Sequence, residues 1–360
     1  MADIKADIIV LTWNKESITR DFVESFFSHT SVPCRLIIID NGSSDGTRDY
    51  LTSLKDSETI KLKVILNPEN NGFVKGMNQG IELSEAPLVC LANNDLIFSK
   101  GWLEEIISVF DKNPDIGVLN PYSNNVGAYP DKPGKIAEFA LSSHGKFKGV
   151  FVEMPFCIGF CMFIRRQVIE KVGGLSQEFS PFYFEDTDYS LKAARAGYLI
   201  GLAKGAYVWH EGHASLAGLG NKNLEYFAKS KETFQKKWGK TLKVIYQARD
   251  QAEIESVLKD AIRFARKGHF LWFAVKGLKN EPTEIFKKLG IFEHAGIKFI
   301  NYRGIFGLVC KIAFKKKPFD VIVTRNGFLR WFFSKLGYNV FSAFNPEKID
   351  LLKFKTKDIG

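Results

Sequence analysis

Three apolar runs near the start of the chain end in side chains able to bind a ligand. The run 8–11 leads into Thr12-Trp13-Asn14, the run 36–39 into Asp40-Asn41-Gly42-Ser43-Ser44-Asp45-Gly46, and the run 88–91 into Asn93-Asn94-Asp95. Carboxylates hold cations or take protons, and amides hydrogen-bond as donor and acceptor. In open α/β sheets ligands bind outside the carboxyl ends of the strands, so three successive ends deliver acids and amides to one edge. Turn formation is the alternative for Ser44 and Asp45, because Asp-Asn-Gly and Ser-Asp-Gly turn readily and Asp45 suits a helix N-cap. Asp40 stands before the turn and has no such role. A second acidic cluster, Glu185-Asp186-Thr187-Asp188, precedes the helical stretch 189–196; Asp188, at its start, reads as a structural charge on the helix dipole.

These residues need a scaffold that repeats strand and helix. β-Branched runs at 8–11, 36–39, 62–66, 88–91 and 117–119 alternate with helical spacing at 17–28, 45–54, 73–83 and 100–110. That pattern predicts βαβ units, a mostly parallel sheet covered by helices on both faces. Residues 121–155, rich in Pro, Gly, Ser and Lys, read as a long loop. Beyond them come a strand at 160–164, a helix from Glu185, a strand at 206–209 and a helix at 224–238. A boundary near 239–249 separates a domain of residues 1–240 from a smaller α/β module, 241–360. That module predicts helices at 252–266, 283–295 and 328–336 and strands at 270–275, 298–302, 319–323 and 339–342; it has no Gly-x-Gly-x-x-Gly fingerprint.

Five segments, taken in order, resemble the motifs of the family 2 glycosyltransferases. They are 8–14, Ile39-Asp40-Asn41-Gly42-Ser43-Ser44-Asp45-Gly46-Thr47, Asn70-Asn71-Gly72-Phe73 with Gly76 and Asn78, Leu91-Ala92-Asn93-Asn94-Asp95, and Phe184-Glu185-Asp186-Thr187-Asp188. The Asn-Asn-Asp segment and the surroundings of Gly174 are similar to the rhamnosyltransferase-like branch. The resemblance covers about two thirds of the chain and implies a GT-A fold and inverting transfer from a nucleoside-diphosphate sugar (UDP-, dTDP- or GDP-linked) to a hydroxyl of a glycan, lipid-linked or protein acceptor. Such chemistry requires a neutralised diphosphate and a deprotonated hydroxyl. The resemblance assigns Asp95 to a Mg²⁺ or Mn²⁺ ion, with Asn93, in place of the usual Asp, and Asn94 beside the nucleotide. It makes Asp186 the general base, with Glu185 raising its pKa or binding acceptor hydroxyls. Asp40 then contacts the nucleobase in a pocket with Thr12, Asn14, Asn41 and Ser43, while Asn71, Gly72, Lys75 and Asn78 approach the sugar and phosphates. His210-Glu211-Gly212-His213-Ala214-Ser215 resembles a His-x-x-Gly-x-Ser segment, which makes His210 a further metal ligand or diphosphate contact; His213 replaces a more usual Gly. A sugar-nucleotide pyrophosphorylase is a rival reading, but it wants a Gly-rich basic loop where Thr12-Trp13-Asn14-Lys15-Glu16 stands. A catalytically silent nucleotide-sugar or glycan-binding module is the other.

Composition sets the outer limits. The 360 residues, 45% hydrophobic and 25% charged, describe a folded protein of about two domains. Residues 1–240 hold 27 Lys+Arg against 29 Asp+Glu, a net −2; residues 241–360 hold 23 against 11, a net +12, and 15 of the 32 Phe. Mixed Phe and Lys/Arg suits peripheral contact with an anionic membrane, and nucleic acid is the less favoured partner. The acidic N-terminus does not read as a secretory signal, and the most apolar stretch, 154–164, is shorter than the roughly 20 residues that span a bilayer. Five Cys without a Cys-x-x-Cys pair suit a reducing cytoplasm, including the inner face of the plasma membrane; Cys157 and Cys161 read as core thiols.

Overall fold

The structure, a computed structural model, describes residues 3–130, 134–212, 221–278, 281–313 and 319–354. It falls into two compact units, Met1–Phe151 with Phe156–Thr233, and Val152–Pro155 with Phe234–Gly360. The chain runs through β1 (Ala6–Thr12), α1 (Glu16–His29), β2 (Cys34–Asp40), α2 (Thr47–Ser53), β3 (Ile60–Leu66), α3 (Phe73–Glu82), β4 (Leu88–Ala92) and β5 (Leu96–Phe98). There follow α4 (Trp102–Lys112), β6 (Ile116–Tyr122), α5 (Ile136–Phe147), β7 (Phe151–Glu153), β8 (Cys161–Arg165), α6 (Arg166–Val172), α7 (Glu185–Arg195), β9 (Leu199–His210) and α8 (Asn221–Trp238).

In the first unit the sheet order is β3-β2-β1-β4-β8-β6-β9-β5. β1 to β4 are mutually parallel, β8 runs against β4 and β6, and β6 is parallel to β9. Period-two alternation divides the strands between two cores. Ile8, Val10, Leu36 and Ile38 face the rings of α1 and α4, among them Phe22, Phe26, Trp102 and Phe110. Ile9, Ile37 and Ile39 face Val74 and Met77 of α3 and Tyr189 of α7. This is the α/β sheet with helices on both faces that the periodicity implies. The helix α3 lies so close to β1 that a Cβ on Gly80 would stand 2.3 Å from Cγ2 of Ile9. Four of the five cysteines are buried and none is disulfide-bonded; burial pushes the Cys157 thiol up to about 12.

The second unit continues with β10 (Lys243–Gln247), α9 (Gln251–Ala265), β11 (Phe270–Val275), α10 (Pro282–Lys288), β12 (Ile297–Asn301), α11 (Gly304–Ala313), β13 (Val321–Val323), α12 (Gly327–Lys335), β14 (Asn339–Phe341) and α13 (Pro346–Asp350). Its sheet, in the order β12-β11-β10-β13-β14, is parallel throughout. α9, α10 and α13 share one core, while α11 and α12 pack on the other face through Leu308, Ile312, Leu329 and Phe333.

Several expectations are corrected. The stretch 121–155, read as a loop, holds the end of β6, a 3-10 turn at Asn124–Val126, α5 and β7. Ser142, Ser143 and Gly145 weaken the local helical signal of α5, which is fixed instead by packing of Ala140 with Tyr207. β9 begins at Leu199, well before 206, and β5, α6, α11 and α13 are additional. β10 lies within the stretch taken as the boundary. α10 stops at Lys288 because Gly290 turns into the left-handed region, φ 63°.

Gly80→Ala is expected to overpack the α3–β1 contact and lower stability by about 1–3 kcal/mol. Gly145→Ala, in α5 with open space at its Cβ, is expected to raise it by about 0.5–1 kcal/mol. Urea titration of both variants checks the pair; equal effects would refute the close packing.

Candidate active site

The strand ends build three polar groups. In the first, Asp40 is fully enclosed: its Oδ2 accepts from Arg48 Nε at 2.9 Å and Ser43 N–H at 3.1 Å, and Thr12 Oγ1 approaches Oδ1 at 3.5 Å. Asn14 sits in the left-handed region at φ 56°; its N–H donates to Ser43 Oγ at 2.7 Å and its Oδ1 accepts from Ser44 N–H at 2.8 Å. Asn41 ties the next loop in, donating to Asn70 Oδ1 at 2.9 Å and accepting from Asn71 N–H at 3.1 Å. Gly72, φ 80°, opens α3 beside Pro181. Lys75, in the first turn of α3, is exposed and has no ion-pair partner among the described residues. Asn78 lies apart from this network: its amide makes both hydrogen bonds to the Leu175 backbone, at 2.8 and 2.9 Å.

The second group depends on β5. Its antiparallel pairing, Leu96 with His210, sets Asp95 beside the end of β9, and Glu211 N–H closes on the Asp95 carbonyl at 3.0 Å. His210 Nε2 stands 3.0 Å from Asp95 Oδ1 and 3.2 Å from Asn93 Nδ2, across 117 residues of sequence. Asn124 clamps the His210 backbone on both sides, at 2.7 and 2.9 Å, and the Asn125 amide lies 2.6 Å from Nδ1. A neutral imidazole carries one N–H. The Asn125 amide nitrogen donates to Nδ1, so that proton sits on Nε2, facing the buried Asp95 Oδ1 at 3.0 Å. With a cation in place of the proton, these two atoms about 3 Å apart match neighbouring ligands of an octahedral cation about 2.1 Å from each. Among the described residues no cluster of three or more His, Cys, Asp or Glu forms, so phosphate oxygens and water would complete such a shell. Asn94 instead donates to Thr19 of α1, at 3.2 Å.

The third group opens α7. Tyr183 and Phe184 both hold positive φ, 79° and 68°, a strained approach for aromatic residues, and Val74 N–H of α3 donates to the Pro181 carbonyl at 3.4 Å. Asp186 Oδ1 accepts from Thr187 N–H at 2.6 Å and Thr187 Oγ1 at 3.1 Å, and Oδ2 from Gly159 N–H at 2.8 Å. A carboxylate offers about four acceptor positions, so one on Oδ2 stays open. Burial raises the Asp186 pKa against the pull of these donors. Burial, then the charge of Asp186, push Glu185 up to about 8, and its buried Oε2 has no hydrogen-bond partner among the described residues. Asp188 is buried and accepts from Ser176 Oγ at 2.6 Å, as a structural charge should.

Consecutive residues join the second and third groups. Gly159 N–H holds Asp186, the Phe160 carbonyl accepts from Asn93 N–H at 2.9 Å, and the Phe160 ring stacks on His210 with centroids 5.6 Å apart. Gly159, Asn124, Asn125 and Arg48 were not singled out by sequence: the first acts through its backbone, and the others acquire a role only through distant partners. The segment His213-Ala214-Ser215 lies outside the described residues.

Because Glu185 keeps its proton up to about 8 when folded and only to about 4.3 when unfolded, its contribution to stability is full below about 4.3 and is lost as pH rises through about 8. Glu185→Gln is therefore expected to gain stability over wild type between pH 5 and pH 8 in urea titrations; a gap that does not widen with pH contradicts this.

Comparison with known proteins points to one family. The Glycosyl transferase family 2 model matches residues 7–173. The O-antigen chain rhamnosyltransferase WbaN of Salmonella anatum is 26% identical over 56% of this chain and 65% of its own length. An uncharacterized glycosyltransferase of Haemophilus influenzae is 26% identical over 32% of this chain; the chain spans only 35% of that relative. A solved structure of S. aureus TarS in complex with UDP-GlcNAc superposes with a TM-score of 0.46 at 16% identity, over 65% of this chain and 73% of that one. Residues 7–173, which include Asp40, Asn71 and Asp95, are thus similar to the family 2 glycosyltransferases.

Proposed function

We propose that the chain is an inverting glycosyltransferase that moves a sugar from a nucleoside-diphosphate sugar to a hydroxyl of a glycan, lipid-linked or protein acceptor. One observation carries the reading: a carboxylate with an open acceptor position, Asp186, and a histidine–carboxylate pair able to ligate a cation, His210 with Asp95, are linked through consecutive residues, Gly159, whose N–H holds Asp186, and Phe160, whose ring stacks on His210.

Asp186 takes the proton of the acceptor hydroxyl through the open position of Oδ2, while Gly159 and Thr187 fix its orientation. Glu185 remains neutral near pH 7, so the acceptor side carries a single negative charge and inversion needs no second carboxylate. Asp95 and His210 would hold Mg²⁺ or Mn²⁺, which when bound offsets the charge of the diphosphate leaving group. Thr12, Asn14, Asp40, Asn41 and Ser43 form the nucleoside side, with the Arg48 pair keeping Asp40 in place. Asn71, Gly72 and the exposed Lys75 take the sugar and phosphate side, where the first turn of α3 points backbone N–H groups at an anion. Asn78 supports that side from behind, through Leu175.

Release of nucleoside diphosphate from a panel of UDP-, dTDP- and GDP-sugars, with a rhamnosyl donor among them, tests the reading. Wild type is expected to turn over at least one donor, and Asp186→Asn to lose about 10²–10⁴-fold in kcat. A base works only when ionised, and burial raises the Asp186 pKa, so kcat is expected to fall on acidification at a pH above the ordinary aspartate value of about 3.9. Full turnover by Asp186→Asn would remove it as the base, and binding of donors without turnover by wild type would favour a silent binding module.

A further inference from the structure

The second unit carries an exposed apolar edge that transfer chemistry does not require. In a parallel sheet all strands end on the same side, so α11 and α12, which follow β12 and β13 and pack on one face, both start at that edge, with β11 and β10 between their strands. Each start repeats one arrangement. Arg303-Gly304-Ile305-Phe306 opens α11 and Arg325-Asn326-Gly327-Phe328 opens α12, each with an arginine three residues before a phenylalanine. Phe306 is 82% exposed, Phe328 55%, Trp331 59% and Ile305 41%. The inward positions of the same helices, Leu308, Ile312, Leu329 and Phe333, are buried, so the outward set is surplus to the core.

The surroundings are basic. Arg303, Lys311, Arg325 and Arg330 are exposed, and among the described residues Arg325 has the one acidic contact of the four, Glu253 at 3.3 Å. A cleft of about 400 Å³ opens at the start of α11, lined by Asn301, Tyr302, Arg303, Gly307 and Lys311. Lys311 Nζ donates to the Asn301 carbonyl at 3.0 Å, which fixes its ammonium at the cleft. A phosphate between Arg303 and Lys311 would meet two positive charges and the first turn of a helix.

We propose that this edge docks on an anionic lipid bilayer, with Ile305, Phe306, Phe328 and Trp331 entering the interface and Arg303 and Lys311 holding a headgroup phosphate in the cleft. Aromatic and aliphatic side chains enter the interface favourably, and basic residues at the same depth add attraction to anionic headgroups. Nucleic acid would account for the arginines and the rings but gives no role to Ile305 among the exposed set. The proposal does not rest on the transfer reading, and its test contains no sugar.

The full chain is sedimented with vesicles of phosphatidylglycerol and phosphatidylcholine and with vesicles of phosphatidylcholine alone, at physiological ionic strength. Binding to the anionic vesicles is expected, with little to the neutral ones. Phe306→Ser with Phe328→Ser is expected to weaken it by about 10-fold or more, since each ring leaves the interface. Arg303→Gln is expected to weaken it about 5-fold. Both positions are exposed, and an unchanged circular dichroism melt verifies that the variants fold. Failure to bind anionic vesicles, equal binding by the double variant, or displacement by millimolar inorganic phosphate would overturn the proposal. Displacement from vesicles by single-stranded RNA, with the double variant binding RNA as weakly as it binds lipid, would also overturn it in favour of a nucleic-acid surface.

Discussion

The candidate active site turns on two neighbouring residues. Adjacent Cα atoms are about 3.8 Å apart, and that fixed spacing separates the N–H that holds Asp186 from the carbonyl that holds Asn93 and the ring that lies on His210. On the proposed reading this would tie proton transfer and leaving-group neutralisation to one piece of chain just before β8, which lies in mid-sheet between β4 and β6. Gly159 has little room for a side chain: a Cβ there would approach Asp186 Cβ at 3.3 Å. The close contact keeps the Asp186 carboxylate against its backbone donor, and burial raises its pKa.

Much of this was legible from residue type. Asp95, Asp186 and His210 each follow an apolar run or open a helix, so identity and spacing marked them as candidates, and the structure brings Asp95 and His210 together. The strands that place them were legible where they are continuous β-branched runs buried on both faces, as in β1 and β2. β5 was not, because three residues are too few to show any period, although its pairing with β9 is what brings Asp95 to His210. Gly159 gives no warning either: a backbone N–H has no residue type. Asn124 and Asn125 were hidden in a stretch whose composition suits a loop, and their value comes from a histidine that lies 85 or 86 residues away in sequence. In the second unit β10 was concealed by its position within the stretch read as the domain boundary, although it is the middle strand of its sheet.

The charge asymmetry follows the two units. Among residues 1–240, net −2, are Asp40, Asp95, Glu185 and Asp186; the Arg48 pair and protonation of Glu185 offset part of this acidity, and on the proposed reading a divalent cation would offset more. Residues 241–360 carry +12, part of it on an edge with exposed rings. A glycosyl acceptor carried on lipid would bring both features into one task, with unit two supplying residence at a surface and unit one the chemistry.

A co-crystal structure with Mn²⁺ and the nucleotide sugar that supports turnover tests the central claim most directly. The account places the cation on Asp95 Oδ1 and His210 Nε2, the diphosphate on that cation, and Asp186 facing the anomeric carbon from the side away from the leaving group. A diphosphate bound elsewhere, or on the Asp186 side of the sugar, would contradict it.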